Sequence, residues 1–229
     1  ENRPSEKAQL DQVLEFLRDG LLPDELQIDK VDSDGLWLKD HNGVRLSWFE
    51  MSDGYRAALA LLGDILRHLI RIYGIDNLIQ AVDGKLCVQR SGVVLVDEID
   101  AHLHPEWQRK IGFWLKERFP KIQFLVTTHS PIICQAADTN GLFFLPAPGA
   151  GEVARPATKD ELQKIVSSRA DTILLSPAFG LQNSRSPRAV EARANKAKLE
   201  AKGRIVPLTE AEQTELDLSS QWVNPDESA

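Results

Sequence analysis

The apolar run Val93-Val94-Leu95-Val96 ends in two adjacent carboxylates, Asp97 and Glu98. A hydrophobic strand that stops this way projects both acids from the C-terminal edge of a sheet, where α/β proteins bind ligands. In nucleotide hydrolysis the first such carboxylate steadies Mg2+, usually through water, and the second polarises the attacking water. The same hexapeptide also fits a strand that simply ends in polar residues. A second feature lies downstream, where another apolar run, Ile122-Gln123-Phe124-Leu125-Val126, leads into Thr127-Thr128-His129-Ser130-Pro131. A histidine at that edge can hydrogen-bond a terminal phosphate and sense whether it is present; a lone histidine after a strand can equally be structural. The third feature is Met51-Ser52-Asp53-Gly54-Tyr55. A serine hydroxyl, a permissive glycine and the free N–H groups of a helix N-terminus make an anion site, although any capped helix shows part of this pattern.

These residues need elements to position them. Leu10, Val13, Leu14 and Leu17 recur at helical spacing, which predicts an amphipathic helix from Ser5 to Gly20. Leu26 to Asp29 and the runs on either side of His41-Asn42-Gly43 alternate, and the Asn-Gly pair signals a hairpin, so residues 25–50 read as antiparallel strands. Tyr55, Ala58, Leu59, Leu62, Ile65, Leu66, Leu69 and Tyr73 form one helical stripe, with Ser52 as N-cap and Gly74 as stop. The run ending in Asp97-Glu98 suits a parallel strand buried on both faces. A helix then opens at His104-Pro105 and runs through Trp107, Ile111, Trp114 and Leu115 towards Pro120, followed by the strand that ends at His129. Strand, helix, strand in this order is a βαβ unit, and the expected fold class is α/β with a largely parallel sheet and flanking helices. Leu142 to Pro148 and the stretch after it read as edge strands finishing that sheet near residue 156. Thr158 with Glu161 forms a capping box for a helix through Ile165. Residues 176–187 form a turn-rich connector, and 187–202 and 208–222 read as a basic and an acidic helix. The expected organisation is a helical lead-in over 1–24, a catalytic head over 25–156 and a helical extension over 157–229.

Composition bounds the function. The 229 residues are 42% hydrophobic, enough for a sizeable core. No window approaches the roughly 18 apolar residues of a membrane span, and the polar opening has no secretory core, so the expectation is a cytoplasmic protein with no membrane partner. The net charge of −7 argues against a chain that coats nucleic acid throughout. Cys87 and Cys134 sit in apolar surroundings and read as buried reduced thiols. The five tryptophans, Trp37, Trp48, Trp107, Trp114 and Trp222, read as packing residues.

Taken in order, MSDGYRA, GVVLVDEIDAHLHPEWQ and FLVTTHSP closely resemble the signature motif, Walker B, D-loop and H-loop of ABC-type ATPases, over about residues 25–156. The branch is similar to RecF, the structural-maintenance-of-chromosomes heads and the overcoming-lysogenization-defect ATPases. DEIDAHLHP and TTHSP most resemble anti-phage ATPases of that last type, of Septu type and of retron type. The resemblance implies that Asp97 holds Mg2+, that Glu98 is the catalytic base and that His129 is the switch histidine. It implies that Ser52 and Gly54, with Asp53 and Tyr55 beside them, face the ATP of a second protomer, and that Asp100, Ala101 and His102 lie in the D-loop at the dimer seam. Met51, Asp53 and Tyr55 depart from the common Leu-Ser-Gly-Gly-Gln signature.

No Gly-x-x-x-x-Gly-Lys-Ser/Thr occurs in the 229 residues; Gly84-Lys85 comes nearest and lacks the glycine spacing. Without that cradle the chain is not expected to hold ATP tightly alone, and a P-loop half must come from an upstream part of the same polypeptide or from a separate one. His102-x-His104 can also be read as a zinc pair, though no third ligand is spaced nearby. Arg185, Arg188, Arg193, Lys196, Lys198, Lys202 and Arg204 make 185–204 basic, which suits a solvated face, a contact with nucleic acid or an acidic effector, or pairing with the acidic stretch 210–217. The leading expectation is an ATP hydrolase head that dimerises around ATP and Mg2+ and drives an effector, such as a nuclease or toxin, or nucleic acid, in anti-phage defence. The alternatives are an ATP-gated scaffold with slow hydrolysis, a DNA repair ATPase, and a metal nuclease built on Asp97, Glu98 and the histidines.

Overall fold

The structure is a computed structural model that describes residues 3–18, 22, 26–146, 149 and 151–223. The expected stop at Gly20, the boundary at 24/25 and the last residues of the Leu142–Pro148 run lie outside them. The chain divides into two compact units, residues 1–168 and 169–229.

In the first unit α1 (Arg3–Arg18) leads to an antiparallel sheet of β1 (Gln27–Asp32), β2 (Gly35–Lys39) and β3 (Arg45–Ser47). As the alternation predicts, β2 and β3 pair across the Asn42-Gly43 turn, with Gly43 at φ +83°. A short 3-10 turn, Trp48–Glu50, then delivers the chain to α2 (Asp53–Tyr73). Six residues of the expected stripe are buried along α2: Ala58, Leu59, Leu62, Ile65, Leu66 and Leu69. Burying each of the larger ones contributes about 1.5–3 kcal/mol, which makes α2 the spine of the unit. Gly74 ends it at φ +72°, and Tyr73 donates its hydroxyl to the Ser91 carbonyl at 2.8 Å.

Next comes a hairpin of β4 (Ile79–Val82) and β5 (Lys85–Val88). Its turn is Asp83-Gly84, both at positive φ. An Asp-Gly pair is a strong hairpin signal, and Gly84-Lys85 belongs to this turn and strand rather than to a phosphate loop.

The βαβ unit follows as expected, with β6 (Gly92–Val96), α3 (Pro105–Arg118) and β7 (Ile122–Val126), the two strands parallel and in register from Gly92↔Ile122 to Val96↔Val126. This α/β arrangement carries the parallel character in one strand pair; the other sheets of the described residues are antiparallel. One expectation is corrected: β6 is not buried on both faces, since Val93 is 56% and Leu95 78% exposed. The described residues provide no layer over that face.

The sheet's other face joins a core in which Phe16, Trp114, Phe119 and Phe124 meet edge to face at 5.5–6.1 Å. After α4 (Pro131–Cys134), β8 (Phe143–Phe144) pairs with β9 (Arg155–Pro156) as a separate antiparallel ribbon. The expectation that this stretch edges the parallel sheet is therefore corrected. The capping box at Thr158 and Glu161 is present and opens α5 (Lys159–Ser167), which packs on α4 within the first unit.

The second unit holds α6 (Ala170–Leu174), α7 (Pro187–Gly203) and α8 (Glu210–Ser220). The helices α7 and α8 pack together, and Lys202 pairs with Glu212 as the charge pattern suggested. Trp222 is 46% exposed and lies under the Arg188 guanidinium at 3.9 Å, so it serves as a cation–π platform rather than core; Trp37 and Trp114 also lie under cations, Lys30 and Arg118, at 5.2 and 6.0 Å. Among the described residues no helix is long and apolar enough to cross a membrane.

Candidate functional site

The register of β6 and β7 places Asp97 beside Thr127 and carries Glu98 and His129 to the same end of the pair. All three site residues are exposed there. The turn that follows β6 is unusual: Glu98 has φ +48° and His102 φ +64°. Left-handed backbone at a non-glycine residue costs roughly 1–2 kcal/mol and persists only when its surroundings hold it.

What holds Glu98 is Thr127. Its N–H donates to the Val96 carbonyl at 3.0 Å, and its carbonyl accepts from the Ile99 N–H at 3.1 Å. Its hydroxyl donates to Asp97 Oδ1 and accepts the Glu98 N–H at 2.8 Å. Within the turn the Ala101 N–H reaches the Glu98 carbonyl at 2.8 Å.

A second set of bonds ties this turn to the loop after β7. The Thr128 hydroxyl donates to Asp100 Oδ1, which also accepts the His129 N–H at 3.2 Å. Gln108 on α3 donates to the Leu103 carbonyl at 2.9 Å and accepts from the Ser130 hydroxyl at 2.6 Å. Asp100 thus turns towards the histidine loop of its own chain. Burial, assisted by the charge of Asp100, pushes the Cys134 thiol up to about 11, and Cys87 and Cys134 are both buried thiols outside any disulfide, as expected, with the Cys87 thiol donating to the Glu117 carbonyl at 3.4 Å.

The start of α2 is built differently. Glu50 accepts the Ser47 N–H and hydroxyl at 2.9 and 2.7 Å, which holds its carboxyl below the ordinary value and fixes the turn before α2. Met51 is buried, and Ser52 comes out exposed with extended backbone. Ser52 occupies the N-cap position as expected, but its side chain makes no capping hydrogen bond. Asp53 pairs with Arg56 one turn on, so its charge is balanced locally.

Facing this helix end are the residues that lead into α3, and together they line an open cleft of about 620 Å3. It takes Ser52, Asp53, Gly54 and Tyr55 from one side and His102, His104 and Glu106 from the other, with Trp107 at its base. The Tyr55 and Trp107 rings meet edge to face at 5.4 Å. A Cβ on Gly54 would stand 2.7 Å from the His102 carbonyl oxygen, so the glycine is required by the approach of another backbone. His104 accepts the Glu106 N–H through Nδ1 at 3.4 Å as N-cap of α3, and the Lys110 ammonium holds the Glu106 carboxyl below its usual range. Among the described residues no group of three or more His, Cys, Asp or Glu side chains is disposed to hold a metal ion.

The predicted residues therefore fall into two places. Asp97, Glu98, Asp100 and His129 gather at the strand ends. Ser52, Asp53, Gly54, Tyr55 and His102 gather at the helix cleft. Thr127, Thr128 and Gln108, which hold the first place together, are residues that the sequence alone does not single out.

The matching family model and relatives define the class: an ATPase domain of α/β fold. The chain belongs to the AAA_21 family, described as "AAA domain, putative AbiEii toxin, Type IV TA system", whose model matches residues 1–135. Over 106 residues it is 42% identical to the Retron Ec83 probable ATPase of Escherichia coli, covering 46% of this chain and 18% of that protein. Over 179 residues it is 31% identical to the Septu protein PtuA of Bacillus thuringiensis, covering 76% of this chain and 42% of that protein. The chain thus spans less than half the length of these curated relatives. Among solved structures, one of SMC ATPases is similar over 72% of this chain and 95% of its own, at 17% identity and a TM-score of 0.49.

Proposed function

We propose that this chain is the part of an ABC-type ATPase head that carries the hydrolytic carboxylates, the switch histidine and the signature helix. On this reading it dimerises around ATP and Mg2+ and couples that cycle to an effector in anti-phage defence. The observation that carries the reading is the in-register parallel pair that sets Asp97-Glu98 and His129 at one strand end.

Asp97 presents a hard oxygen donor at an exposed strand end, which fits a Mg2+ ion held by one protein carboxylate with phosphate and water completing its shell. The ion supplies neutralisation of charge on the transferred phosphate. Glu98 accepts a proton from the attacking water, and His129 reaches the terminal phosphate. The exposed start of α2, with the Ser52 hydroxyl outside any capping bond, offers a donor to a phosphate held by a second protomer.

The open face of β6 supports the need for a further layer. Val93, Leu95, Leu125 and Val126 are exposed on a strand pair that other ATPase segments, including the phosphate-binding loop absent from these 229 residues, would cover. The basic α7 gives less support to a nucleic-acid contact, because Arg188 and Lys202 already engage Trp222 and Glu212.

The test is Glu98→Gln in the complete protein. Hydrolysis should fall by about 10²–10⁴-fold while ATP-bound dimers accumulate, because the group that takes the proton from water is gone. Normal turnover in that variant overturns the assignment. A slow basal rate that rises with an effector partner identifies an ATP-gated scaffold.

A further inference from the structure

We infer that Thr127 is the positioning residue for the carboxylate pair: its hydroxyl holds Glu98 in its left-handed turn and orients Asp97. This inference rests on the hydrolase reading above.

Three observations converge on one side chain. First, Glu98 sits at φ +48°, a conformation its side chain does not favour. Its placement is therefore imposed from outside. Second, the hydroxyl oxygen of Thr127 lies 2.8 Å from the Glu98 N–H and donates its own proton to Asp97 Oδ1, so one atom contacts both acidic residues at once. Third, the Thr127 main chain bonds to Val96 before the pair and to Ile99 after it, at 3.0 and 3.1 Å. The turn is thereby clamped at its entry, at its two acids and at its exit by a single residue of the adjacent strand.

The division of labour inside Thr127 makes the inference testable. Its N–H and carbonyl maintain the strand pairing and persist in any non-proline substitution. Only the hydroxyl addresses Glu98 and Asp97. Valine has nearly the same shape and removes the hydroxyl alone, leaving the Glu98 N–H without its acceptor and Asp97 without its donor. Serine restores both.

The experiment compares Thr127→Val, Thr127→Ser and Glu98→Gln in the complete ATPase, reading kcat, affinity for a non-hydrolysable ATP analogue, and amide hydrogen exchange at residues 97–99. Thr127→Val should lower kcat by about 10- to 100-fold through misplacement of the reacting groups. Its analogue affinity should stay within about threefold, since uniform binding is not what the hydroxyl supplies. Exchange at Glu98 should quicken, and Thr127→Ser should return all three readouts towards wild type. Unchanged exchange at Glu98 in Thr127→Val, or a serine variant as impaired as the valine one, overturns the inference. Faster exchange combined with wild-type turnover in both Thr127→Val and Glu98→Gln upholds the clamp and overturns the hydrolase reading of Glu98.

Discussion

The end of the β6–β7 pair and the start of α2 both present polar groups to solvent, yet they are built in opposite ways. At the strand ends hydrogen bonds fix the backbone that carries Glu98 and His129: Thr127 holds Asp97 and the Glu98 N–H, Asp100 holds Thr128 and the His129 N–H, and Ser130 holds Gln108. At the helix start the Ser52 hydroxyl makes no capping bond, and position is set by packing, through buried Met51 and the contact of Gly54 with the His102 carbonyl. Side chains proposed to direct a water and a metal ion at one point gain from a backbone fixed beforehand, whereas a helix start proposed to meet the phosphate of another protomer gains from an exposed hydroxyl.

The largest test of this contrast pairs Glu98→Gln with Ser52→Ala. The first should remove most hydrolysis and preserve ATP-driven association; the second should weaken association, since it deletes a phosphate donor. Sedimentation with ATP checks both, and association lost in the first but intact in the second inverts the comparison.

Next in size is Leu95→Ala. In this chain alone Leu95 is exposed, so urea unfolding should shift by no more than about 0.5 kcal/mol. In the complete protein, where the reading places another layer over it, the same change should cost about 2–5 kcal/mol. Equal small effects in both mean that this face is never covered.

Gly54→Ala comes third. The new methyl meets backbone rather than a movable side chain, so helix and loop must separate, at about 1–3 kcal/mol in denaturant unfolding. A neutral result shows that the two segments adjust freely.

The smallest effect is acid loosening of the starts of α5 and α8. The Arg155 guanidinium, with the Thr158 N–H, holds Glu161 down at about 2, and the Lys202 ammonium, with the Thr209 N–H, does the same for Glu212. Each lowered carboxyl stabilises the folded state fully above its ordinary value of 4.5, and that contribution disappears as pH falls towards about 2. NMR titration should show α5 and α8 fraying at their first turns over this window, and a flat response refutes the pairing.

What sequence could reveal follows from what repeats. The α2 stripe, the hairpin at Asn42-Gly43 and the βαβ order are periodic or local signals, and each appears in the structure. That Asp97, Glu98 and His129 meet at one end of a strand pair was legible because the βαβ order brings the ends of consecutive parallel strands together. The role of Thr127 was not, because a Thr-Thr-His run gives no sign of which hydroxyl faces the neighbouring strand until register is known. Nor was the exposure of Leu95, since a continuous apolar strand looks the same whether or not its covering layer belongs to the chain in hand. The bonds of Asp100 to Thr128 and the His129 N–H likewise emerge only from the turn geometry.

The contact at Gly54 has a mechanical meaning when joined to the hydrogen bond at the far end of the same helix. Twenty-one residues of α2 make a strut about 30 Å long. One end bears on the loop after the acid-bearing strand, at His102, and the other is pinned by Tyr73 to Ser91, immediately before that strand begins. A shift of the loop would therefore reach the root of the strand along a stiff rod, and Asp97 and Glu98 sit on the strand so braced at both ends.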